Sequence, residues 1–234
     1  MPVITMSGNI ASGAREVGQS VAQELGIDFV DQQLMVQASQ RCGVTIGTLA
    51  EHDERRSSFR ERLSHLLRTV LERSAASGAD PITGATGLEA VLSSSYADMA
   101  AEEPHLSDSL YMQTMTDIIR ELAARGDVVI LGRGSQMLLT DMPRTLHVLC
   151  VAPRRLRANR LAERDEMGMD EAMRRTQESD RARCAFYKKF WRVEVEDPKL
   201  YDLTVDTSRL SYEIATEVVV AAARAKSKMA APAV

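Results

Sequence analysis

A short turn near the start of the chain has the residue spacing of a phosphate-binding loop. Gly8 and Gly13 enclose four residues, and Ala14 and Arg15 follow directly. In such a loop, backbone N–H groups converge on an anion at the N-terminus of the next helix, where the helix dipole favours negative charge. The standard motif continues with a lysine for the β- and γ-phosphates and a Ser or Thr for Mg²⁺, and here Ala14 and Arg15 occupy those positions. The same glycines also suit a tight strand-to-helix turn, so the spacing alone leaves both interpretations open.

The scarcity of lysine decides which side chains could bind phosphate instead. Lysine and arginine together number 29, but only five are lysines, and the first of these is Lys188. No lysine in the preceding part of the chain can therefore replace the missing one. Arginine remains, and its guanidinium binds two phosphate oxygens at once and stays charged. We therefore expect phosphate binding to depend on arginines.

Arginines occur in two places where they could meet a phosphate. Arg133 directly follows an apolar run that is typical of a buried strand, and ligands of open α/β sheets bind at the carboxyl ends of the strands. The second place is a helical, arginine-dense segment. Its charged residues are Arg154, Arg155, Arg157, Arg160, Arg164, Arg174, Arg175, Asp180, Arg181 and Arg183. Solvated helix faces often carry such runs of charge, so each single arginine could simply face the solvent. The group as a whole predicts a mobile anion-binding lid.

Apolar periodicity predicts the elements that position these residues. The predicted strands are residues 3–6, 27–30, 127–131, 145–152 and 203–206. The predicted helices are residues 15–25, 32–41, 54–74, 88–96 and 110–125, more than one helix within 154–190, and residues 212–224. Asp31 is predicted to cap the second helix. Alternation of strands and helices predicts a single α/β domain over residues 1–225 with a parallel sheet, followed by a flexible tail over 226–234. Its helical insertion spans about 42–110, and its arginine-rich lid about 154–192.

Composition narrows the function classes. The 234 residues carry a net charge of −4, which implies no general electrostatic attraction to nucleic acid or membrane. The sequence has no signal-peptide pattern and no membrane-length apolar run, and its three scattered cysteines give no disulfide framework, so we expect a cytoplasmic protein. The four histidines have no partner at metal-ligand spacing, and no metal site is predicted. The aromatic group at 186–191 is predicted to anchor the lid to the core. The apolar stripe from Phe59 to Leu71 is predicted to be insertion core, with a homodimer interface as the other interpretation.

Taken together, these residues resemble the divergent branch of the cytidylate kinase-like family of P-loop nucleoside monophosphate kinases. The branch begins Ser-x-x-x-Gly-Ser-Gly-Gly-Arg-Glu, and residues 7–16 read Ser-Gly-Asn-Ile-Ala-Ser-Gly-Ala-Arg-Glu. Further matches in the same order are Asp31, Gly132-Arg133, Arg157-x-x-Arg160, Asp180-Arg181-x-Arg183 with Tyr187, Tyr201-Asp202-Leu203 and Asp206-Thr207-Ser208. The resemblance extends over about residues 3–220. It implies a P-loop kinase-like three-layer fold with a core, an acceptor-binding insertion and a lid.

The resemblance also implies a role for each matching residue. Those that would border the donor ATP are Gly8, Ser12, Gly13, Ala14, Arg15 and Arg157. Those that would bind the acceptor are Asp31, Arg133, Asp180 and Arg183. The catalytic residues would be Arg15, Arg160 and Arg181, and residues 206–208 would lie near the adenine. The chain departs from the branch at Ala11 and Ala14, which replace glycines, and at Gly134, which replaces the aspartate of the family's Gly-Arg-Asp motif.

The expected function is transfer of a phosphoryl group from ATP, with Mg²⁺, to a nucleoside monophosphate such as CMP or dCMP. Two alternatives stay open at this point. The missing lysine is compatible with a non-catalytic nucleotide-binding or regulatory protein on the same fold. The second alternative is a kinase that acts on a different small acceptor.

Overall fold

A computed structural model describes residues 2–41, 61–70, 72, 84–101 and 107–228. The strands are β1 (Val3–Gly8), β2 (Asp28–Val30), β3 (Val128–Leu131), β4 (Thr145–Val151) and β5 (Leu203–Asp206). The first helices are α1 (Ala14–Leu25), α2 (Gln32–Arg41), α3 (residues 61–70), α4 (Gly84–Ser93), α5 (Tyr96–Ala100) and α6 (Asp108–Arg125). The later ones are α7 (Ser135–Leu138), α8 (Arg154–Asp165), α9 (Met169–Trp191) and α10 (Tyr212–Lys228).

The five strands form one sheet in the order β2-β3-β1-β4-β5, and every pair is parallel, which confirms the predicted α/β fold. The apolar side chains of the central strands, such as Ile4, Met6 and Val148, are fully buried. Continuous apolar runs of this kind are expected when helices cover both faces of a parallel sheet. Because all strands run in one direction, the turns after β1, β2 and β3 meet at one edge. That edge brings together Gly8, Asp31 and Gly132.

Helices form a layer on each face of the sheet. One hydrophobic core lies between the sheet and helices α2, α3, α4 and α6, and the other lies between the sheet and helices α1 and α10. The predicted insertion stripe contributes Leu63, Leu66, Leu67 and Val70 to the first core, as predicted. Phe59 and Leu71 of that stripe lie outside the described residues. Within the described part of the chain, no helix has the length and apolar character needed to cross a membrane.

The helices differ from the sequence prediction most clearly at two places. Residues 88–96 were expected to form one short helix, but α4 ends at Ser93 and α5 begins at Tyr96. The break occurs because Ser95 forms a capping box with Asp98, in which each side chain accepts from the other's backbone N–H and so starts a new helix. The second difference is at the end of the domain, where the last helix was predicted to end at residue 224 and a flexible tail to begin at 226. Instead, α10 continues to Lys228, and Lys226 forms an ion pair with Asp202. Residues 229–234 lie outside the described part.

The aromatic group at 186–191 anchors helix α9, as predicted. Phe186 is fully buried, and its ring centroid lies 4.8 Å from that of Tyr96 and 4.8 Å from that of Phe190. Tyr187 and Trp191 pack on the same ring. The C-terminal half of α9 therefore belongs to the main core. Its N-terminal half packs with α8 in a smaller cluster around Leu161, which also contacts Ile10 and Ala11 of the first turn.

His147 is a half-buried histidine of the central sheet. It lies on β4 with Nδ1 2.8 Å from the Thr5 hydroxyl, so one of its ring nitrogens is hydrogen-bonded within the sheet. Burial lowers the pKa of His147 to about 4, the negative charge of Asp202 opposes this shift, and the positive charge of Lys226 adds to it. The folded protein therefore excludes a proton that the unfolded chain binds below about pH 6.5.

We expect this histidine to make stability depend on pH between about 6.5 and 4. The contribution is fully present above pH 6.5 and is lost as the pH falls toward 4, and at pH 5 the loss should be about 2 kcal/mol. Urea unfolding at pH 7 and pH 5 would measure it in the wild type, in His147→Gln and in His65→Gln, whose histidine is exposed. The pH-dependent loss should shrink in His147→Gln and persist in His65→Gln. An equal loss in all three proteins would contradict the assignment.

Candidate functional site

The turn between β1 and α1 adopts the shape of an anion cradle. Ala11 and Gly13 have the positive φ values 57° and 87°, and the Ser12 N–H donates to the Asn9 carbonyl at 3.0 Å. Helix α1 begins at Ala14, so the N–H groups of its first turn have no partner inside the helix. These groups face the cleft described below, where they can bind an oxyanion.

Both glycines of the turn are required by close packing. A Cβ at Gly8 would lie 2.7 Å from the Cys150 carbonyl oxygen of β4. A Cβ at Gly13 would lie 2.7 Å from the Tyr212 ring, and the left-handed backbone there disfavours a side chain as well. The Ser12 hydroxyl is buried beneath the turn and has no hydrogen-bond partner among the described residues.

Two of the predicted phosphate ligands hold the turn from outside. Arg157 forms a two-pronged ion pair with Asp180 at 2.9 and 2.8 Å, and it also donates to the Ile10 carbonyl at 3.3 Å. Arg160 donates to the Ala11 carbonyl at 3.4 Å and to Thr207, and it stacks over the Tyr212 ring. Neither arginine lines the cleft. In this structure they fasten α8 to the turn and to the segment after β5, and their roles in ATP binding and catalysis stay predictions.

A cleft of about 620 Å³ opens at this edge of the sheet. Its walls are the turn, the start of α1, the exposed face of α2, the junction of α4 with α5, the turn after β3, and part of α9. Four arginines and two carboxylates line it: Arg15, Arg133, Arg164, Arg183, Glu16 and Asp31. Glutamines 32, 33, 37 and 40 supply a neutral polar wall on α2. An excess of positive charge in a recess of this size favours an anionic ligand.

Arg183 is the most deeply buried cation of the cleft. Its side chain donates to the Ser7 hydroxyl and to the Asn9 side-chain oxygen, each at 2.7 Å, and its guanidinium lies over the Tyr187 ring. Only 3% of the residue is exposed, and no described carboxylate lies within ion-pair distance of it. The neighbouring tyrosines and Glu196 keep the pKa of Arg183 high against the opposing effect of burial. A guanidinium has five N–H donors, so this one retains donors for a ligand, and no salt bridge to a described carboxylate uses its charge.

Arg15 and Asp31 form an ion pair across the cleft. The Arg15 Nη2 lies 2.7 Å from the Asp31 Oδ2 and 3.3 Å from the side-chain oxygen of Gln33. The other carboxylate oxygen of Asp31 accepts from the Leu34 N–H at 2.8 Å, which confirms that Asp31 caps α2. Arg15 therefore extends toward the β2 side of the cleft and away from the turn.

Arg133 is at the cleft wall, but its guanidinium is bound to the protein. It donates to the Leu92 carbonyl at 2.6 Å, to the Ser94 carbonyl, and to the Tyr111 hydroxyl at 3.3 Å. Arg133 has a positive φ of 60°, and its backbone N–H donates to the Tyr96 hydroxyl. The structure thus places this predicted acceptor ligand at the carboxyl end of α4, and its contact with an acceptor stays a prediction.

One predicted catalytic residue lies outside the cleft, and three residues that were not predicted contact its arginines. Arg181 is exposed on α9 and does not line the cleft. Sequence reasoning missed Ser7 and Asn9, which hold Arg183, and Tyr96, which meets Arg133. Ser7 and Asn9 belong to the phosphate-loop segment, so their positions were a usable signal. Tyr96 lies in an alanine- and serine-rich segment that carries no such signal.

Two alanines of the turn replace glycines of the family, and restoring glycine should change the free energy of unfolding differently at the two positions. Ala11 has left-handed backbone, so Ala11→Gly relieves strain of about 1–2 kcal/mol, offset by about 0.4–1 kcal/mol of extra unfolded-chain entropy. Ala14 is helical, so Ala14→Gly should lower the free energy of unfolding by about 0.5–1 kcal/mol. Chemical denaturation of the three proteins measures both changes. Equal destabilisation by the two substitutions would refute the assigned backbone conformations.

Arg133 should matter for stability because it satisfies buried acceptors. Arg133→Met leaves two carbonyls and a hydroxyl without this donor, and each buried unsatisfied group costs about 1–3 kcal/mol. We expect a lower melting temperature and a more protease-sensitive α4–α5 region. Arg155→Met, at an exposed arginine of α8, serves as the control and should unfold like the wild type. Wild-type stability of Arg133→Met would show that these contacts contribute little.

Comparisons with known proteins identify the family of this chain. A model of the cytidylate kinase-like family matches residues 3–209. The chain is 37% identical over 101 residues to a cytidylate kinase of Methanopyrus kandleri, covering 39% of this chain and 52% of that one. It is 31% identical over 126 residues to a cytidylate kinase of Aeropyrum pernix, covering 54% and 70%. The alignment therefore spans about half the length of the first of these relatives.

Among solved structures, an uncharacterized protein from Eubacterium ventriosum superimposes with a TM-score of 0.61. The superposition covers 96% of this chain and 99% of that one at 12% identity, a similarity that concerns the fold alone. The parallel sheet with the phosphate-loop turn after β1 is a P-loop kinase fold. With the family match over nearly the whole length, this chain belongs to the cytidylate kinase-like family.

Proposed function

We propose that this protein is a phosphotransferase that moves the γ-phosphoryl group of ATP to a nucleoside monophosphate, with CMP and dCMP as the first acceptors to test. The observation that carries the proposal is Arg183, a buried guanidinium that lines the cleft beside the phosphate-loop turn and forms no ion pair with any carboxylate that the structure describes. The family membership and the cytidylate kinases among the relatives support the choice of acceptor.

The donor phosphates fit the residues that are present. Amide groups at the start of α1 offer hydrogen bonds to phosphate oxygens, and Gly8 and Gly13 let the backbone approach closely. Arg183, to which the resemblance gives an acceptor-binding role, contacts Ser7 and Asn9 of this segment, and we assign it the positive charge that the missing lysine does not supply. In phosphoryl transfer, an acceptor oxygen bonds to the γ-phosphorus while the bond from that phosphorus to the ADP oxygen breaks. The protein takes little part in this bond exchange, so its contribution is mainly positioning and charge neutralisation. Fixed donors in a recess suit that task.

The residues of the loop suit the donor phosphates, but they do not provide a dedicated magnesium site. Arg15 stands where the standard motif has a hydroxyl ligand, and the described residues include no group of three potential metal-binding His, Cys, Asp or Glu side chains. Magnesium in kinases usually keeps several waters and binds through substrate phosphates. We therefore include MgATP as the donor, and none of the steps above depends on the ion.

A second candidate is a non-catalytic nucleotide-binding protein on the same fold. It is favoured by the absent lysine and by the engagement of Arg133, Arg157 and Arg160 in contacts within the protein. Such a protein would bind nucleotides in the same cleft without transfer.

A substrate panel separates the two candidates. Purified protein is incubated with MgATP and each of CMP, dCMP, UMP, AMP and GMP, and the products are separated by chromatography. We expect CDP or dCDP from the cytidine nucleotides. Nucleotide binding by calorimetry without any product would instead support the non-catalytic candidate, and neither binding nor product would refute both.

Replacement of Arg183 tests the residue that carries the proposal. Arg183→Met should lower kcat/KM by about 100-fold or more, because a buried phosphate contact by a charged donor is lost. Arg183→Lys keeps the charge, loses the fork, and should recover part of the rate. Arg174→Met, on the exposed part of α9, is the control, and melting temperatures identify unfolded variants. Wild-type turnover by a folded Arg183→Met would contradict the role.

A further inference from the structure

Arg15 and Arg133 differ in what they can still offer a ligand. Both guanidinium nitrogens Nη1 and Nη2 of Arg133 donate to protein oxygens, and 5% of the residue is exposed. In Arg15, by contrast, the side chain is 43% exposed and only Nη2 meets an acceptor among the described residues. Its Nε and Nη1 retain three N–H donors, which suffice for a forked contact with a phosphate.

Asp31 fixes the direction of Arg15. The carboxylate is nearly buried, with 7% of its side chain exposed, and its two oxygens are divided between Arg15 and the Leu34 N–H of α2. The ion pair joins the first turn of α1 to the first turn of α2. Because a buried carboxylate with fixed hydrogen bonds cannot follow a moving partner, the guanidinium is held on the β2 side of the cleft.

The β2 side is the part of the cleft left for the acceptor. The donor phosphates, in the proposed function, occupy the first-turn amides of α1 and the surroundings of Arg183. The rest of the cleft extends along α2 toward Ser93, Tyr96 and Gly132. Arg15 lies between these two parts, next to the glutamine wall.

We propose that Arg15 binds the phosphate of the acceptor nucleotide, that Asp31 is the positioning residue that orients it, and that Arg133 holds the insertion in place. The assignment rests on the proposed function, and it changes which arginine binds the acceptor phosphate. The family resemblance implied a donor-phosphate role for Arg15 and an acceptor-phosphate role for Arg133. The hydrogen bonds of the two side chains favour the opposite arrangement.

Calorimetric titration of the full chain with CMP and with a non-hydrolysable ATP analogue tests the assignment. In Arg15→Gln the dissociation constant for CMP should rise by about 10- to 100-fold, as expected for loss of a charged forked contact. The constant for the ATP analogue should change by less than about threefold, since that ligand keeps its other contacts. Arg120→Gln is a matched control, because Arg120 is 45% exposed, lies 2.7 Å from the Asp141 carboxylate, and does not line the cleft.

The role of Asp31 has its own readout. Asp31→Asn retains an N-cap for α2 but removes the charge that holds Arg15. It should weaken CMP binding in the wild type and add nothing in Arg15→Gln, because the two residues act as one unit. Additive losses would show that Asp31 contacts the acceptor directly and would overturn its positioning role.

Each outcome distinguishes the inference from the proposed function. Weaker binding of the ATP analogue with unchanged CMP binding in Arg15→Gln would overturn the inference alone. An equal loss for both ligands would also overturn it. If the wild type binds neither nucleotide, the proposed function fails and the inference fails with it. Thermal unfolding verifies the fold of each variant, and Arg15→Lys replaces Arg15→Gln if the latter is unfolded.

Discussion

The buried charge of Arg183 is the constraint on which the arrangement of the cleft depends. Removing a cation from water costs several kcal/mol even after the protein relaxes around it. Here that cost is offset by two neutral oxygens, from Ser7 and Asn9, and by the face of Tyr187. No described carboxylate forms an ion pair with Arg183, and the charge of Glu196 acts on it from farther away. A direct ion pair at this position would have offset more of the charge that can attract an anion.

The position of Arg183 in turn follows from the packing of α9. Phe186 and Tyr187 fix the C-terminal half of that helix in the main hydrophobic core, and the ring contacts extend to Tyr96 of α5 and Tyr111 of α6. The cation is thereby held against the end of β1. A preorganised charge of this kind stabilises a developing negative charge without reorganisation at the moment of reaction.

The arginines divide into two groups by what they contact. Arg133, Arg157 and Arg160 donate mainly to backbone carbonyls or to Asp180, and together they join α4, α8, α9 and the turn after β1. Arg15 and Arg183 line the cleft and have N–H donors that no described residue accepts. One guanidinium can satisfy several carbonyls in different directions, which an ammonium does less well because it presents a single point of charge. Arginines in these positions therefore serve the architecture of the protein, apart from the phosphate binding that we propose for others.

The sequence by itself determined the features that depend on local pattern. Apolar runs predicted the five strands, the glycine spacing predicted a tight turn between β1 and α1, and Asp31 was predicted to cap α2. The lysine count by itself excluded the standard phosphate-loop lysine. Only the tertiary structure decided which arginines face the cleft. Arg183 meets Ser7 across 176 positions of the chain, and Arg133 meets carbonyls about 40 positions away. Such partners are set by how helices pack on the sheet, and periodicity along one helix contains no information about the carbonyls and hydroxyls that another element brings to it.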